Sequence, residues 1–408
     1  MGKIVTSSVN HMIKVAFIIR SLDCGGAERQ LLTLANALDK KHFEPTILTF
    51  YSGGPYERQV ADNVRLISLN KSGRWDTIGF LMRLVRELRR LRPDVIHSYA
   101  DIPNILALLV KHFTGRPAIV WGIRTAFHDV ANYDWLRRVA FELEPKLARF
   151  PDRIIVNSHA GYRCLRARGY QTARLVTINN GFDSEHFQPN PEARNRIRAE
   201  WGLAPDQIVI GLVARMKPIK DHPTFLRAAA LVKGAYPNVR FVCVGNGPES
   251  YRQALLGLVD QLKLGDRITW TGLHTNMADI YNAIDVNVLS SISEGCPNVV
   301  GEAMACGVPC VVTDVGDAAS LVGDTGFICP PQNPEALAAT LIKCIEADRV
   351  SLGINARRRI EKSWNIGRLV KSTERALTAA ATANDAYPRA SERELETESG
   401  TFRFSAEP

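Results

Sequence analysis

The chain has 408 residues, 46% of them hydrophobic and 23% charged, values that are ordinary for a globular protein and comfortable for two domains. Its net charge of +9 lies in the first half: residues 1–190 carry 27 Lys and Arg against 17 Asp and Glu, whereas the remainder carries 24 against 25. The sequence contains no apolar run of about 18 residues, so no transmembrane helix is predicted. The first residues also lack the apolar core of a signal peptide. The eight cysteines lack paired or zinc-site spacing, so we expect reduced thiols and a cytoplasmic location.

The first half alternates predicted strands and helices, which indicates a parallel α/β domain. A Gly25–Gly26 pair follows the first strand and opens a helix predicted at 27–38, and Ser158 is placed to cap a later helix. Paired glycines let a ligand approach the backbone closely, and a helix start favours anions. Strands are predicted at residues 14–19, 45–50, 95–99, 118–123, 153–156 and 175–178.

Residues 79–92 form a predicted basic amphipathic helix. Its apolar side chains recur at helical spacing, and arginines occupy most of the other positions. Such a helix can lie on an anionic membrane surface, or it can be an ordinary crossover helix with a solvated basic face. Both interpretations stay open. Nucleic acid is disfavoured as a partner, because no basic platform with interleaved aromatic residues is visible.

The polar segment 181–204 is interpreted as a connection to a second α/β domain. Arg215 directly follows the first strand of that domain, and Lys220 comes just before a predicted helix start at Asp221. Two cations at the carboxyl edge of a parallel sheet suit a diphosphate. The strands of this domain are predicted at residues 208–214, 240–244, 268–271, 286–289 and 310–313.

Residues 285–316, DVNVLSSISEGCPNVVGEAMACGVPCVVTDVG, predict a strand, a polar turn, a short helix and another strand. Glu294 lies in the turn and Glu302 in the helix, and Pro297 is suited to the first helical position. Free backbone N–H groups near Asn298 and Val299 favour a phosphate. The segment therefore predicts a site for a ligand that has both hydroxyl and phosphate groups.

The string SEG-x-PN-x-x-x-EAMA-x-G-x-P resembles the retaining glycosyltransferases of family 4, which have the GT-B fold: two Rossmann-like α/β domains that face each other across a cleft. In that family the E-x7-E pair handles the donor. The resemblance implies that Glu294 meets the transferred sugar and that Glu302 holds the nucleotide ribose. The string GLVARMKPIKDH resembles the Arg…Lys diphosphate clamp of the family, which implies that role for Arg215 and Lys220. Asp221 stands where the family usually has glycine.

Further roles are implied by the same resemblance, which spans residues 14–381. Gly25 and Gly26 would face the donor phosphates and the acceptor, and Leu273 would lie near the nucleotide base. A histidine of the first domain near the reacting sugar would be His128, with His97 as the rival. The implied division is an acceptor-side domain at 1–187, a donor domain at 188–365, a helix crossing back at 366–384 and a disordered tail at 385–408.

The implied reaction moves a sugar from a nucleotide-sugar donor to a hydroxyl of a saccharide or polyprenyl-linked saccharide acceptor, with retention at the anomeric carbon. The sequence has no convincing D-x-D motif, so we expect a reaction that needs no metal ion. No cofactor is expected either, because the nucleotide sugar is a substrate. A sugar-nucleotide 2-epimerase and a non-catalytic nucleotide-sugar or polysaccharide-binding protein are the alternatives. A nicotinamide dehydrogenase is disfavoured, because no G-x-G-x-x-G follows a strand with an acidic residue about 20 positions on.

Overall fold

The strands form two sheets in the computed structural model, which describes residues 12–73, 75–124 and 135–382. The first lobe is built on β1 (Ile13–Ile19), β2 (Phe43–Thr49), β3 (Arg65–Ser68), β4 (Val95–Tyr99), β5 (Ala118–Ile123), β6 (Arg153–Val156) and β7 (Leu175–Thr177). Its helices are α1 (Gly26–Ala37), α2 (Ile78–Leu91), α3 (Asp101–Lys111), α4 (Trp135–Leu147) and α5 (His159–Ala167).

The second lobe is built on β8 (Ile208–Val213), β9 (Val239–Val244), β10 (Ile268–Gly272), β11 (Val286–Leu289), β12 (Cys310–Thr313) and β13 (Phe327–Cys329). Its helices are α6 (Pro191–Glu200), α7 (His222–Ala235), α8 (Glu249–Gln261), α9 (Met277–Ala283), α10 (Asn298–Ala305), α11 (Ala318–Val322), α12 (Pro334–Glu346) and α13 (Arg349–Ser363). The last helix of the described chain is α14 (Ile366–Ala381).

Both sheets are parallel, as the alternating pattern predicts. The strand order is β3-β2-β1-β4-β5-β6-β7 in the first lobe and β10-β9-β8-β11-β12-β13 in the second. In each sheet the order reverses beside the first strand of the lobe, β1 or β8, and ligands of open parallel sheets bind beyond the carboxyl ends at such a point. Gly25 and Gly26 follow β1, and Arg215 follows β8. The glycine pair and the arginine therefore each lie at the carboxyl edge of the sheet in their own lobe.

Two strands were missing from the sequence-based prediction. β3 is short and only partly buried, and β13 has three residues and is also an edge strand. Neither carries the continuous apolar run that marks a strand buried on both faces. Pairing to a neighbour, rather than local composition, defines these two strands.

The interpretation of residues 181–204 as a plain connection was wrong in part, because α6 lies inside it. Asn190 caps this helix by accepting a hydrogen bond from the Ala193 N–H, and Pro191 occupies its first turn. A proline there costs no hydrogen bond, so it starts the helix instead of breaking it. The helix is mostly polar and packs against α9, which explains why its sequence resembles a linker.

The C-terminal helix α14 packs on the first lobe, although it follows the second lobe in the chain. Leu369, Val370 and Leu377 are buried in the same hydrophobic core as β1 and α1. The chain crosses back near Phe182, whose N–H donates to the Trp364 carbonyl at 2.8 Å. The predicted boundary between the domains at residues 187 and 188 stays a prediction, and the predicted tail at 385–408 lies outside the described residues.

Helix α2 packs against the first sheet through Phe80, Leu84 and Leu88. The spacing of Leu81 with Leu84, Val85 and Leu88 predicts that it shares their apolar face, but Leu81 is exposed, because Phe80 is turned towards the sheet instead. Trp75, Ile78 and Met82 are also exposed. No helix in the three described segments is both long enough and apolar enough to cross a bilayer.

Candidate active site

A cleft of about 560 Å³ lies between the two lobes at the carboxyl edges of their sheets. The first lobe contributes the loop and helix start after β1, together with Tyr56. The second lobe contributes the loop after β8, the loop after β10 and the segment from Ser293 to Glu302. Every described residue of the predicted site lines this cleft: Gly25, Gly26, Arg215, Lys220, Leu273, Glu294, Asn298, Val299 and Glu302.

Helix α10 presents its amino end to the cleft. Pro297 is the residue before the helix, with extended backbone, and not its first helical residue as predicted. No side chain caps this end, so the first N–H groups of the helix are available to a ligand. Both the free amides and the positive end of the helix dipole attract an anion.

Glu302 lies on the cleft-facing side of α10 and is only 2% exposed. Its Oε1 accepts a hydrogen bond from Arg29 Nη1 at 2.5 Å, and its Oε2 accepts one from the Tyr281 hydroxyl at 2.9 Å. Burial opposes the charge of Arg29, but the Glu302 carboxylate together with the Tyr56 and Tyr281 hydroxyls more than offsets burial, so the pKa of Arg29 is raised. Burial, with the neighbouring Glu302 charge, raises the pKa of Tyr281, so its hydroxyl stays protonated and donates.

Glu294 is held in place by two contacts within the second lobe. Its Oε1 accepts from Lys220 Nζ at 2.5 Å and from Ser291 Oγ at 2.7 Å. Lys220 is therefore paired with a carboxylate, which fixes its ammonium group at the cleft wall. The two cations predicted to act as a clamp consequently differ, because Lys220 is ion-paired and Arg215 is exposed.

Arg215 extends from the end of β8 towards the first lobe. Burial raises the pKa of the Glu28 carboxyl on α1, and the Arg215 guanidinium opposes part of that rise. The loop that carries Arg215 packs against the G-x-G turn after β9: a Cβ at Gly245 would lie 2.2 Å from the Ala214 carbonyl oxygen, and one at Gly247 would lie 2.2 Å from that of Met216. Those glycines thus serve packing.

Asp221 has φ +47° and ψ 53°, the left-handed conformation that glycine adopts most readily. This geometry accounts for the glycine usual at this position in the resembling family. Aspartate tolerates the left-handed region better than most residues, and here its side chain caps α7 by accepting from the Thr224 N–H at 3.2 Å. The departure from the family pattern therefore leaves the turn before α7 intact.

The two roles of Asp221 can be separated by substitution. Asp221→Ala loses the cap and keeps the unfavourable backbone, so we expect it to lower the free energy of unfolding by about 1–2 kcal/mol. Asp221→Gly also loses the cap, but glycine adopts the left-handed backbone conformation without strain. We therefore expect it to lower the free energy of unfolding by only a few tenths of a kcal/mol. Urea unfolding of both variants measures the difference. An Asp221→Gly variant that is less stable than Asp221→Ala would contradict this assignment.

Gly26 lies directly against the opposite lobe. Its carbonyl accepts from Asn298 Nδ2 at 3.0 Å, and a Cβ at Gly26 would lie 3.0 Å from the same nitrogen. Asn180, near the chain crossing, donates to Asn298 Oδ1 at 2.7 Å and to the Cys296 carbonyl at 3.2 Å. The close approach of the glycine loop thus joins the first lobe to the amino end of α10.

The histidine prediction has two outcomes. His128 lies outside the described residues, so its role stays a prediction. His97, the rival, is fully buried on β4 between the rings of Phe17 and Tyr99, and burial lowers its pKa to about 3. A neutral core imidazole that does not line the cleft is not a candidate for contact with the sugar.

Several cleft residues escaped the sequence-based prediction: Glu28, Arg29, Tyr56, Arg124, Asn157, Asn180 and Tyr281. The available signal for Arg29 was its position in the first turn of α1, three residues after Gly26. Tyr56 and Tyr281 carried none, because buried tyrosines are common in cores. Among the described residues, no three His, Cys, Asp or Glu side chains form a metal-binding group.

Comparison with known proteins agrees with this geometry. Residues 24–186 match the family described as Glycosyltransferase Family 4, and residues 207–347 match Glycosyl transferases group 1. The chain is 24% identical over 375 residues to the UDP-Gal:alpha-D-GlcNAc-diphosphoundecaprenol alpha-1,3-galactosyltransferase of Escherichia coli, covering 88% of this chain and 95% of that enzyme. The GalNAc-alpha-(1->4)-GalNAc-alpha-(1->3)-diNAcBac-PP-undecaprenol alpha-1,4-N-acetyl-D-galactosaminyltransferase of Campylobacter jejuni is 28% identical over 312 residues, 72% of this chain and 77% of that enzyme.

Among solved structures, Anabaena HepE in complex with UDP and glucose superposes with a TM-score of 0.78 at 22% identity, covering 90% of this chain and all of HepE. The fold and site therefore define a glycosyltransferase with the GT-B fold. The chain belongs to the family 4, group 1 glycosyltransferases, which confirms the resemblance and supports transfer over the epimerase and binding-protein alternatives.

Proposed function

We propose that this protein transfers a sugar from a nucleotide diphosphate sugar to a hydroxyl of a saccharide or polyprenyl-linked saccharide, with retention at the anomeric carbon. Assembly of a polysaccharide or glycolipid is the inferred setting. Relatives named for undecaprenol-linked acceptors, at 24% and 28% identity, support this acceptor class.

One observation carries the proposal: a single cleft wall combines an uncapped helix start, two carboxylates and two cations. The amides of α10, with Arg215 and Lys220, match the charge of a diphosphate. Glu302 matches the hydroxyls of a ribose, and Glu294 those of the transferred sugar. A ligand that needs all of these groups together is a nucleotide diphosphate sugar.

In the proposed reaction the bond between the anomeric carbon and the diphosphate oxygen breaks. The acceptor hydroxyl oxygen bonds to the same carbon on the same face, and its proton passes to the leaving diphosphate. Arg215, Lys220 and the start of α10 stabilise the negative charge that develops on the leaving group. We propose that this charge stabilisation comes from the protein without a metal ion.

The proposal is tested by a thermal-shift screen of nucleotide sugars, because a ligand that binds the folded state raises its apparent stability. The stabilising donor is then incubated with undecaprenyl diphosphate-linked saccharides, and the products are analysed. We expect nucleoside diphosphate to be released only when the acceptor is present. We also expect NMR to show that a donor with an axial anomeric bond gives a product with an axial glycosidic bond. Donor isomerisation without an acceptor, or an inverted product, would contradict it.

We also propose that α2 docks the first lobe on an anionic membrane surface. Trp75 and Ile78 are 89% and 74% exposed, and Met82 lies on the same outward side. The side chains of Arg86 and Arg90 are 72% and 59% exposed. Apolar side chains beside exposed arginines form the composition that binds at the headgroup boundary. This exposed face leaves the buried face of α2 free to cover the sheet, so the two interpretations of the helix are compatible.

Sedimentation with vesicles tests the docking surface. Phosphatidylglycerol vesicles are expected to bring down the protein at low salt, whereas phosphatidylcholine vesicles are not. Replacing Arg86 and Arg90 with glutamine should weaken binding by about 2 kcal/mol, at about 1 kcal/mol for each basic residue near the surface. The matched control replaces Arg196 and Arg252, two exposed arginines of the second lobe, and should bind as the wild type does. Equal loss in both double variants would point to net charge instead of α2.

A further inference from the structure

Arg29 joins the two lobes at the point where the donor ribose is proposed to bind. It lies on α1 of the first lobe, 273 residues from Glu302, and the two side chains form an ion pair at 2.5 Å. The guanidinium is anchored on its other side by the Tyr56 hydroxyl, which lies 3.0 Å from Nε. A planar guanidinium held at both edges fixes the carboxylate it contacts.

The groups that face Glu302 identify Arg29 as the partner that balances its charge. Tyr281 on α9 and Tyr56 beside Arg29 are neutral phenols whose pKa values are raised, in both cases mainly by burial. Burial likewise raises the pKa of the Cys306 thiol, directly after the last residue of α10. Arg357 of α13 donates to the carbonyls of Ser184, Phe187 and Ala305 at the other end of α10.

The lone pairs of Glu302 leave room for a ligand. An ionised carboxylate offers about four acceptor sites, and Arg29 and Tyr281 occupy one on each oxygen. Two sites remain, and Glu302 lines the cleft, so they match a pair of neighbouring hydroxyls. A protonated carboxyl would instead donate from one oxygen and could not accept from both hydroxyls.

We propose that Arg29 is a positioning residue that pairs with Glu302 and orients it, so that the free lone pairs of Glu302 accept the 2′- and 3′-hydroxyls of the donor ribose. This inference rests on the proposed function of the site. It gives the first lobe a part in recognising the donor: the ribose site is complete only when α1 and α10 are in contact. Because the Glu302 side chain is only 2% exposed, loss of Arg29 would leave the carboxylate buried without its cation partner and without the contact that orients it.

The test uses a nucleotide with and without the ribose hydroxyls. UDP, GDP and ADP are tried in turn by calorimetry, and the tightest is compared with its 2′,3′-dideoxy form. The wild type is expected to prefer the ribonucleotide by about tenfold to a hundredfold, the range for hydrogen bonds to a charged group. In Arg29→Met this preference should shrink by about tenfold, while affinity for the dideoxynucleotide is unchanged. Arg29→Lys, which keeps the charge without the fork, should retain part of the preference.

A variant that removes a different contact between the lobes, and leaves the pairing of α1 with α10 in place, provides the matched control. Asp317 of the second lobe accepts from the N–H groups of His159 and Ala160 in the first, at 2.7 and 2.9 Å. Asp317→Ala should keep the full ribose preference, whatever its effect on overall affinity. If Arg29→Met does not fold, Arg29→Lys is used instead, and a smaller decrease in the ribose preference is expected.

The possible results distinguish a failure of the positioning role of Arg29 from a failure of the proposed glycosyltransferase function. No binding of any nucleotide by the wild type would overturn the proposed function and the inference together. Binding without a ribose preference would remove the ribose role of Glu302. A wild-type preference that persists in Arg29→Met, or tighter ribonucleotide binding by that variant, would overturn the positioning role alone.

Discussion

Arg215→Ala is expected to lower kcat by about a hundredfold to a thousandfold, the loss seen when one donor to a developing negative charge is removed. Arg215 lines the cleft from the loop after β8, and Lys220 is already paired with Glu294, so the loss is not readily made up by its neighbour. The effect should fall mainly on kcat, because the charge on the leaving diphosphate is larger in the transition state than in the bound donor.

Steady-state kinetics with the donor identified by thermal shift measures this effect. Arg252→Ala is the matched control, since this arginine is exposed on α8, pairs with Glu249 and does not line the cleft. It should retain wild-type turnover. A near-normal kcat for Arg215→Ala would exclude this guanidinium from stabilising the leaving group.

Glu302→Gln is expected to weaken binding of the nucleoside diphosphate by about 2–3 kcal/mol, which corresponds to a loss of affinity of roughly 30-fold to 150-fold. The substitution preserves shape but removes the charge that strengthens the ribose hydrogen bonds. It also leaves the Arg29 guanidinium, whose side chain is 22% exposed, without its carboxylate partner. Both effects act on the free energy of donor binding.

Calorimetry with the same nucleotide for both proteins measures the change. Glu335→Gln, in the exposed first turn of α12 outside the cleft, is the control and should bind normally. Thermal unfolding without ligand distinguishes lost binding from lost folding. Unchanged nucleotide affinity in a folded Glu302→Gln variant would reject the ribose role of this residue.

Local sequence determined much of the fold. Strands β4, β5, β6, β11 and β12 begin and end where the apolar runs predict, and Ser158 caps α5 as expected, accepting from the Gly161 N–H at 3.0 Å. These features depend on residues a few positions apart, and that is the range over which patterning and capping act. The motif containing Glu294 and Glu302 likewise lies within one strand–turn–helix unit, so its placement at the sheet edge followed from the sequence.

The contacts between lobes were decided by tertiary structure alone. Arg29 and Glu302 are 273 residues apart, and no periodicity or spacing relates positions on different lobes. His97 illustrates the same point: it ends a strand like a site residue, but the packing of β4 turns its ring into the core. The sequence therefore determined which groups reach the carboxyl edges of the two sheets. Which of them meet depends on how the lobes pack, because side-chain pairing across the cleft is fixed by the whole fold.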